Sequence, residues 1–167
     1  MKLYLMRHGP AEDDAHSRVD GDRALSPAGR ERVRSVAKVL LEAAEEPAHI
    51  AASQLVRAVQ TAEIVAVATK LGERSGTVEV RRELAPGGDG LVLARSLAVE
   101  GRKRVMLVGH EPDLSALASA LLGSVDRSFD KAMVVGIHIP SDGGRGSLRF
   151  VLDPKALRFD PDLRTAP

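Results

Sequence analysis

The stretch Lys2-Leu3-Tyr4-Leu5-Met6-Arg7-His8-Gly9-Pro10 decides how the rest of the chain is read. Its first five residues form a short, largely apolar run of strand formers. The run ends at Arg7-His8-Gly9-Pro10, where glycine and proline interrupt regular structure. A strand that delivers a guanidinium and an imidazole at its carboxyl end suits an α/β sheet, because ligands of such sheets bind beyond the strand ends.

Working outward, residues 10–25 are polar and acidic and read as a long loop. Ser26 is then a good N-cap with Pro27 at the first helical position. Behind it Val33, Val36, Ala37, Leu40, Leu41 and Ala44 recur with helical spacing, which predicts one buried face. Pro47 stops this helix, and His49 to Ser53 is expected as a short strand. A second helix is expected from about Leu55 to Lys70, ended by Gly72. Thr77 to Val80 alternates as a strand and is followed by the loop Ala85-Pro-Gly-Gly-Asp89. Gly90 to Glu100 is expected as a helix, and Arg104 to Val108 as a continuous apolar strand ending at Gly109-His110-Glu111-Pro112. The next helix carries Leu114, Leu117, Ala118 and Leu121 on one face. Ala132 to Ile139 and Ser147 to Leu152 then read as two strands joined by the turn-rich segment 141–146. Strands alternating with helices imply parallel crossover units. The expectation is a single three-layer α/β domain over residues 1–157, with a mostly parallel central sheet flanked by helices and a C-terminal tail at 158–167.

Composition narrows the function. With 167 residues the chain is long enough for one domain with a real core. Its 24 basic and 23 acidic residues leave a formal charge of +1, so no global field favours nucleic acid or membrane. Four aromatic residues (Tyr4, Phe129, Phe150, Phe159) offer little for base stacking. The absence of cysteine excludes disulfides, thiolate catalysis and cysteine zinc sites. Met1 to Leu5 reads directly as a strand, so no signal peptide is expected, and no apolar run approaches the ~20 residues of a membrane helix. A cytoplasmic location is the default expectation.

The strand ends bring together a small set of reactive groups. Arg7 and His8 follow the first strand, Ser53 and Arg57 the second, Glu83 the third and His110 the fourth. Two arginines, two histidines and a carboxylate make a positive pocket of phosphoryl size. Arg-His-Gly by itself has roughly a 5% chance of arising from this composition, so the tripeptide alone is weak. Its pairing with Gly109-His110 after another apolar strand is what sharpens it. A neutral imidazole can attack phosphorus when its other ring nitrogen keeps its proton. Arginines spread positive charge over the equatorial oxygens of the transferring group. Such a site needs no metal and no cofactor. Arg57 sits near a helix start, where the dipole favours anions, so phosphate binding explains it better than capping. Gly109 suggests close backbone approach to a ligand.

With these residues in place, the sequence resembles the histidine phosphatase superfamily, which also contains the phosphoglycerate mutases, and most nearly its short SixA-type phosphohistidine phosphatases. The landmarks are Leu3-Tyr-Leu-Met-Arg-His-Gly9, Arg23-Ala-Leu-Ser-Pro-Ala-Gly29, Arg57-Ala-Val-Gln-Thr-Ala-Glu63, Leu84-Ala-Pro-Gly-Gly-Asp89 and Val108-Gly-His-Glu-Pro-Asp-Leu114. The resemblance implies a phosphoglycerate mutase-like fold, His8 as nucleophile, and Arg7, Arg57 and His110 as the rest of the phosphate pocket. Ser53-Gln54 departs from the family's usual Ser-Pro. The larger relatives carry an acidic proton donor, and Glu83 is the candidate here, although it could equally pair with Arg81 or Arg82.

Other groups receive plainer readings. Arg23 either lines the pocket rim or tethers the long loop. Glu12-Asp13-Asp14 is a solvated loop, with His16 making a weak metal site conceivable. His49 and His138 are structural or surface residues, and Gly87-Gly88 is a turn. The short loops leave no lid over the pocket, which favours a side chain presented by a folded partner over an enclosed metabolite. The expected function is dephosphorylation of phosphohistidine on a histidine-containing carrier or phosphotransfer protein. Two alternatives are a phosphomonoesterase for a small metabolite and a non-catalytic module that binds phosphorylated proteins. A receiver domain would need a phosphorylatable aspartate where His8 stands.

Overall fold

The computed structural model describes residues 1–13, 20–125 and 127–161. The elements are β1 (Lys2–Arg7), α1 (Pro27–Glu42), β2 (His49–Ala52), α2 (Val56–Ala68), β3 (Thr77–Val80), α3 (Gly90–Val99), β4 (Arg104–Gly109), α4 (Asp113–Leu122), β5 (Val134–His138), β6 (Ser147–Asp153) and β7 (Arg158–Asp160). The strands form one sheet in the order β3-β2-β4-β1-β5-β6-β7. The four strands β1 to β4 pair in parallel, and β5, β6 and β7 extend the sheet by antiparallel pairing. The expected three-layer, mostly parallel architecture is present, with an antiparallel extension.

β1 explains why its sequence shows no polar alternation. Leu3 and Leu5 pack into one core with Leu93, Leu97, Leu114 and Leu117 of α3 and α4. Tyr4 and Met6 point to the opposite core, with Val33, Val36, Leu40 and Val65 of α1 and α2. A strand buried on both faces reads as a continuous apolar run. Each fully buried aliphatic side chain contributes about 1.5–3 kcal/mol, so β1 is the central tie between the layers.

Local signals act as their chemistry predicts. Ser26 Oγ accepts from the Gly29 N–H at 3.0 Å, capping α1 behind Pro27. Asp89 caps α3 in the same way, its Oδ1 accepting from Val92 N–H at 3.0 Å. α2 stops two residues earlier than Lys70. Thr69 Oγ1 donates back to the Val65 carbonyl at 2.8 Å, and Lys70 takes a left-handed φ of 53°. Residues 158–160, expected within a tail, pair with β6 as the edge strand β7. No helix among the described residues is long and apolar enough to cross a membrane.

The register sets the functional edge. Arg7 pairs with Gly109, Ala52 with Val108, and Ala52 with Val80. The residues that follow, His8, Ser53, Arg81 and His110, therefore emerge side by side. Two backbone bonds carry the alignment one residue further: His8 N–H to the Gly109 carbonyl at 3.1 Å and Ser53 N–H to the Val108 carbonyl at 3.0 Å. Glycine closes the packing behind this edge. A Cβ at Gly29 would lie 1.9 Å from the Pro10 carbonyl oxygen, so α1 and the loop after His8 touch backbone to backbone.

Candidate active site

A cavity of about 260 Å³ opens at the carboxyl edge, lined by Arg7, His8, Ala11, Arg23, Arg57, Pro86, His110, Glu111 and Lys131. His8, Arg57 and His110 are 6%, 5% and 4% exposed, which is rare for such side chains unless they are partnered or functional. A larger cleft of about 510 Å³ between α1 and α2, lined by Arg34, Lys38, Glu63, Ile64, Val67 and Ala68, holds no histidine. The smaller cavity is the one that carries chemistry.

His8 is held in one tautomer. Its Nδ1 lies 2.7 Å from the Gly9 carbonyl. A carbonyl only accepts, so Nδ1 carries the proton and Nε2 the lone pair. Arg57 Nε donates to that Nε2 at 3.3 Å, which also requires Nε2 to be the acceptor. Gly9 in turn is fixed from α2: its N–H donates to Thr61 Oγ1 at 3.1 Å, and Thr61 Oγ1 donates to the Arg57 carbonyl at 2.7 Å. One turn of α2 therefore places both Arg57 and the peptide that orients His8.

Burial pushes the His8 pKa down to about 3, against the Gly9 hydrogen bond, with the charges of His110, Arg57 and Arg7 acting in the same direction as burial. His110 is pushed down to about 4, first by burial and then by Arg57 and Arg7, with Asp113 and Asp20 opposing. Both rings are neutral at pH 7, so His8 Nε2 carries the lone pair a nucleophile needs, held in this structure by the Arg57 Nε–H. The rings stand 5.1 Å apart between centroids.

Among the described residues, three polar atoms in this region are buried with no hydrogen-bond partner: Arg7 Nε, His110 Nδ1 and His110 Nε2. Orphaned polar atoms are costly, by about 1–3 kcal/mol each, so a cluster of them, with the Arg7 Nε–H and one His110 N–H as donors, marks a place where a ligand completes the structure. A tetrahedral oxyanion supplies acceptors for guanidinium and imidazole donors at once. Arg57 is oriented by Asp20, whose carbonyl accepts from Nη1 at 2.8 Å and whose carboxylate accepts from Nη2 at 3.0 Å. The same carboxylate accepts from Arg23 Nε at 2.9 Å. Hydrogen bonds from Arg23 and Arg57 lower the Asp20 pKa. Arg23 thus both lines the rim and tethers the loop, its Nη1 reaching the Glu12 carbonyl at 3.2 Å.

The structure brings Arg7, His8, Arg57 and His110 together as the sequence places them. It does not bring in Glu83, which is absent from the cavity lining. Its carboxylate pairs with Arg81 Nη2 at 2.6 Å, and Arg81 is the chief reason its pKa is lowered. Gly109 also serves a different end than expected. A Cβ there would meet Leu114 Cδ2 at 3.3 Å, so the glycine admits α4 rather than a ligand. Glu111, Lys131 and Thr61 were not singled out from sequence. Glu111 follows His110 directly, which was the available signal; Lys131 and Thr61 arrive only through tertiary packing. Among the described residues no group of three or more His, Cys, Asp or Glu could hold a metal ion. The proposed weak site at residues 12–16 lies partly outside the described residues, since Asp14 and His16 are not described.

Comparison with known proteins places this arrangement. An uncharacterized protein of Picosynechococcus sp. is 41% identical over 144 residues, covering 83% of this chain and 85% of that protein. A solved structure of the protein histidine phosphatase SixA complexed with tungstate superposes with a TM-score of 0.86 at 27% identity, covering 95% of this chain and 100% of that one. A mycobacterial glucosyl-3-phosphoglycerate phosphatase, solved with VO3, shares the fold at a TM-score of 0.65 and 23% identity over 88% of this chain and 96% of that one. The sequence profile described as histidine phosphatase superfamily (branch 1) matches residues 3–85, the segment that contains Arg7, His8 and Arg57. These matches support a phosphatase activity, and the chain belongs to the histidine phosphatase superfamily.

Proposed function

We propose that this chain is a phosphohistidine phosphatase with His8 as its nucleophile, acting on a phosphorylated histidine of a carrier or phosphotransfer protein. The observation that carries the reading is the fixed tautomer of His8. With Nδ1 donating to the Gly9 carbonyl at 2.7 Å, Nε2 keeps a lone pair, which accepts from Arg57 Nε and is given up to phosphorus when substrate enters, and His8 lines the same cavity as Arg7 and His110. In the first step Nε2 attacks phosphorus in line, the P–N bond to the substrate imidazole breaks, and the leaving ring takes up a proton. In the second, water attacks phospho-His8, the P–Nε2 bond breaks, and phosphate leaves with His8 restored. Arg7, Arg57 and His110 hold the equatorial oxygens throughout. Positioning and charge are what phosphoryl transfer chiefly requires.

The substrate class is supported by how the nearby carboxylates are used, since both Glu111 oxygens accept from the protein itself. Glu83 pairs with Arg81 and does not line the cavity. An alkoxide leaving group leans on a positioned acid, worth about 10²–10⁴-fold, whereas an imidazole protonates readily near neutral pH. The SixA likeness supports the same substrate. The second reading, a phosphomonoesterase for a small metabolite, is favoured by the likeness to glucosyl-3-phosphoglycerate phosphatase. Measuring kcat/KM on several phosphohistidine carriers beside a panel of small phosphate esters separates them. Preference for the carriers is expected, and preference for the esters would replace the first reading with the second.

A further inference from the structure

Glu111 lines the cavity beside His110, yet both its carboxyl oxygens are used by the protein. Oε2 accepts from Ser115 Oγ at 2.7 Å, which anchors it to the first turn of α4. Oε1 accepts from the backbone N–H of Phe129 at 3.2 Å. The other side of that residue holds Arg7: the Phe129 carbonyl accepts from Arg7 Nη1 at 2.6 Å. Among the described residues this is the one hydrogen bond made by the Arg7 guanidinium, since Nε has no partner.

The segment that carries Phe129 also grips the backbone of the nucleophile. Ala132 N–H donates to the carbonyls of Arg7 and His8, each at 3.1 Å, and Arg7 N–H donates to the Met133 carbonyl at 3.2 Å. Phe129 itself is fully buried. A chain of contacts therefore runs from Ser115 through Glu111 and Phe129 to the Arg7 guanidinium, joining the edge of β4 to the edge of β1.

We propose that Glu111 is a positioning residue for Arg7, holding the Phe129 peptide so that its carbonyl aims the guanidinium at the phosphoryl group. The inference rests on Arg7 binding that group. It makes a prediction whose sign differs from simple electrostatics. A carboxylate in an anion site repels the anion, so as a mere charge its removal would tighten oxyanion binding. As a positioner its removal loosens Arg7 and weakens binding.

The test uses the full chain, with orthovanadate affinity by calorimetry and kcat/KM on a phosphohistidine carrier. Glu111→Ala is expected to weaken vanadate binding and to lower kcat/KM about 10²-fold, the scale of a displaced catalytic group. Glu111→Gln keeps an oxygen that can accept from Phe129, so it should bind vanadate at least as well as the unsubstituted protein. In an Arg7→Ala background, Glu111→Ala should add less than about threefold, because residues acting through one another are not additive. Ser115→Ala, a milder change, should shift both readouts in the same direction as Glu111→Ala and lose its effect in the Arg7→Ala background. Tighter vanadate binding in Glu111→Ala would overturn the proposal. So would full multiplicative loss in the double variant, or Glu111→Gln as damaged as Glu111→Ala with one limb of the pH profile gone, which would make Glu111 an acid or base. If the unsubstituted protein neither binds vanadate nor hydrolyses any phosphoryl substrate, the functional reading itself falls, and this inference with it.

Discussion

At the amino end of the sheet Glu45 accepts from Tyr4 Oη at 2.9 Å, from Lys2 Nζ at 3.1 Å and from both terminal nitrogens of Arg149 at 2.6 and 2.9 Å. Its neighbour Glu46 holds Arg104 at 2.8 Å and Arg74 at 3.2 Å. At the carboxyl end, Arg7 Nε and both nitrogens of His110 are buried with no hydrogen-bond partner among the described residues. The two ends contain similar residue types and opposite degrees of satisfaction. Burial opposes ionisation of Glu45, yet hydrogen bonds from Arg149, Tyr4 and Lys2 hold its carboxyl down at about 2. The histidines at the other end are shifted chiefly by burial, toward neutrality. A network that closes on itself ties strands together. One left open keeps its bonding capacity for a ligand.

The sharpest way to break this contrast is His8→Ala. Turnover should fall by more than about 10³-fold while the fold persists, and rapid quench with mass spectrometry should find a labile phosphate on His8 of the unsubstituted protein and none in the variant. Near-normal turnover in this variant would end the covalent mechanism. Arg57→Ala should lower kcat/KM by about 10²–10³-fold on carriers and esters alike, since it removes charge stabilisation common to both. An effect confined to one substrate type would move Arg57 from the transition state to substrate choice.

Acid should act on stability through the open end. His8 and His110 have folded pKa values of about 3 and 4, below the ordinary 6.5. Their stabilisation is complete above pH 6.5 and is lost as pH falls toward those values, because the unfolded chain binds the protons first. The loss is about 1.4 kcal/mol per histidine per pH unit, or about 2–4 kcal/mol between pH 6.5 and 5. Thermal melts at the two pH values should show this fall, and saturating phosphate should shrink it. A flat Tm across the interval would mean that the histidines take up protons in the folded state as readily as in the unfolded chain.

The closed end is tested by Glu45→Ala, expected to lower stability by about 1–3 kcal/mol in denaturant melts with kcat unchanged. A fall in kcat with no fall in stability would show that the two ends are not separate. The smallest effect is expected from Glu83→Gln, less than about threefold on a phosphohistidine carrier, given the absence of Glu83 from the cavity lining and its pairing with Arg81. Equal and severe damage to carriers and esters would restore Glu83 as a general acid.

Arg7, His8, Arg57 and His110 were legible because parallel strands deliver their ends to one edge, so sequence position after a strand translates into position in space. Glu111 was legible in place but not in role, since its partner Phe129 lies on a distant segment. Thr61 sits in an ordinary helical pattern, and only the Gly9 contact gives it meaning. Glu83 shows the limit of the same rule: emerging at the right edge does not decide which way a side chain turns when Arg81 is two residues away. β7 was not legible because three residues between prolines carry no periodicity, and pairing with β6 supplies what the local pattern lacks.

The contact between Gly29 and Pro10 has a reach beyond packing. Ser26 N–H donates to the Pro10 carbonyl at 3.0 Å, and the absence of a Cβ on Gly29 lets that carbonyl sit against the first turn of α1. Pro10 is bonded to Gly9, and the Gly9 carbonyl chooses which imidazole nitrogen of His8 keeps its proton. A methyl group at position 29 would therefore be felt as a change in electronic state at the nucleophile. Steric clearance on a helix thereby bears on the reactivity of the imidazole.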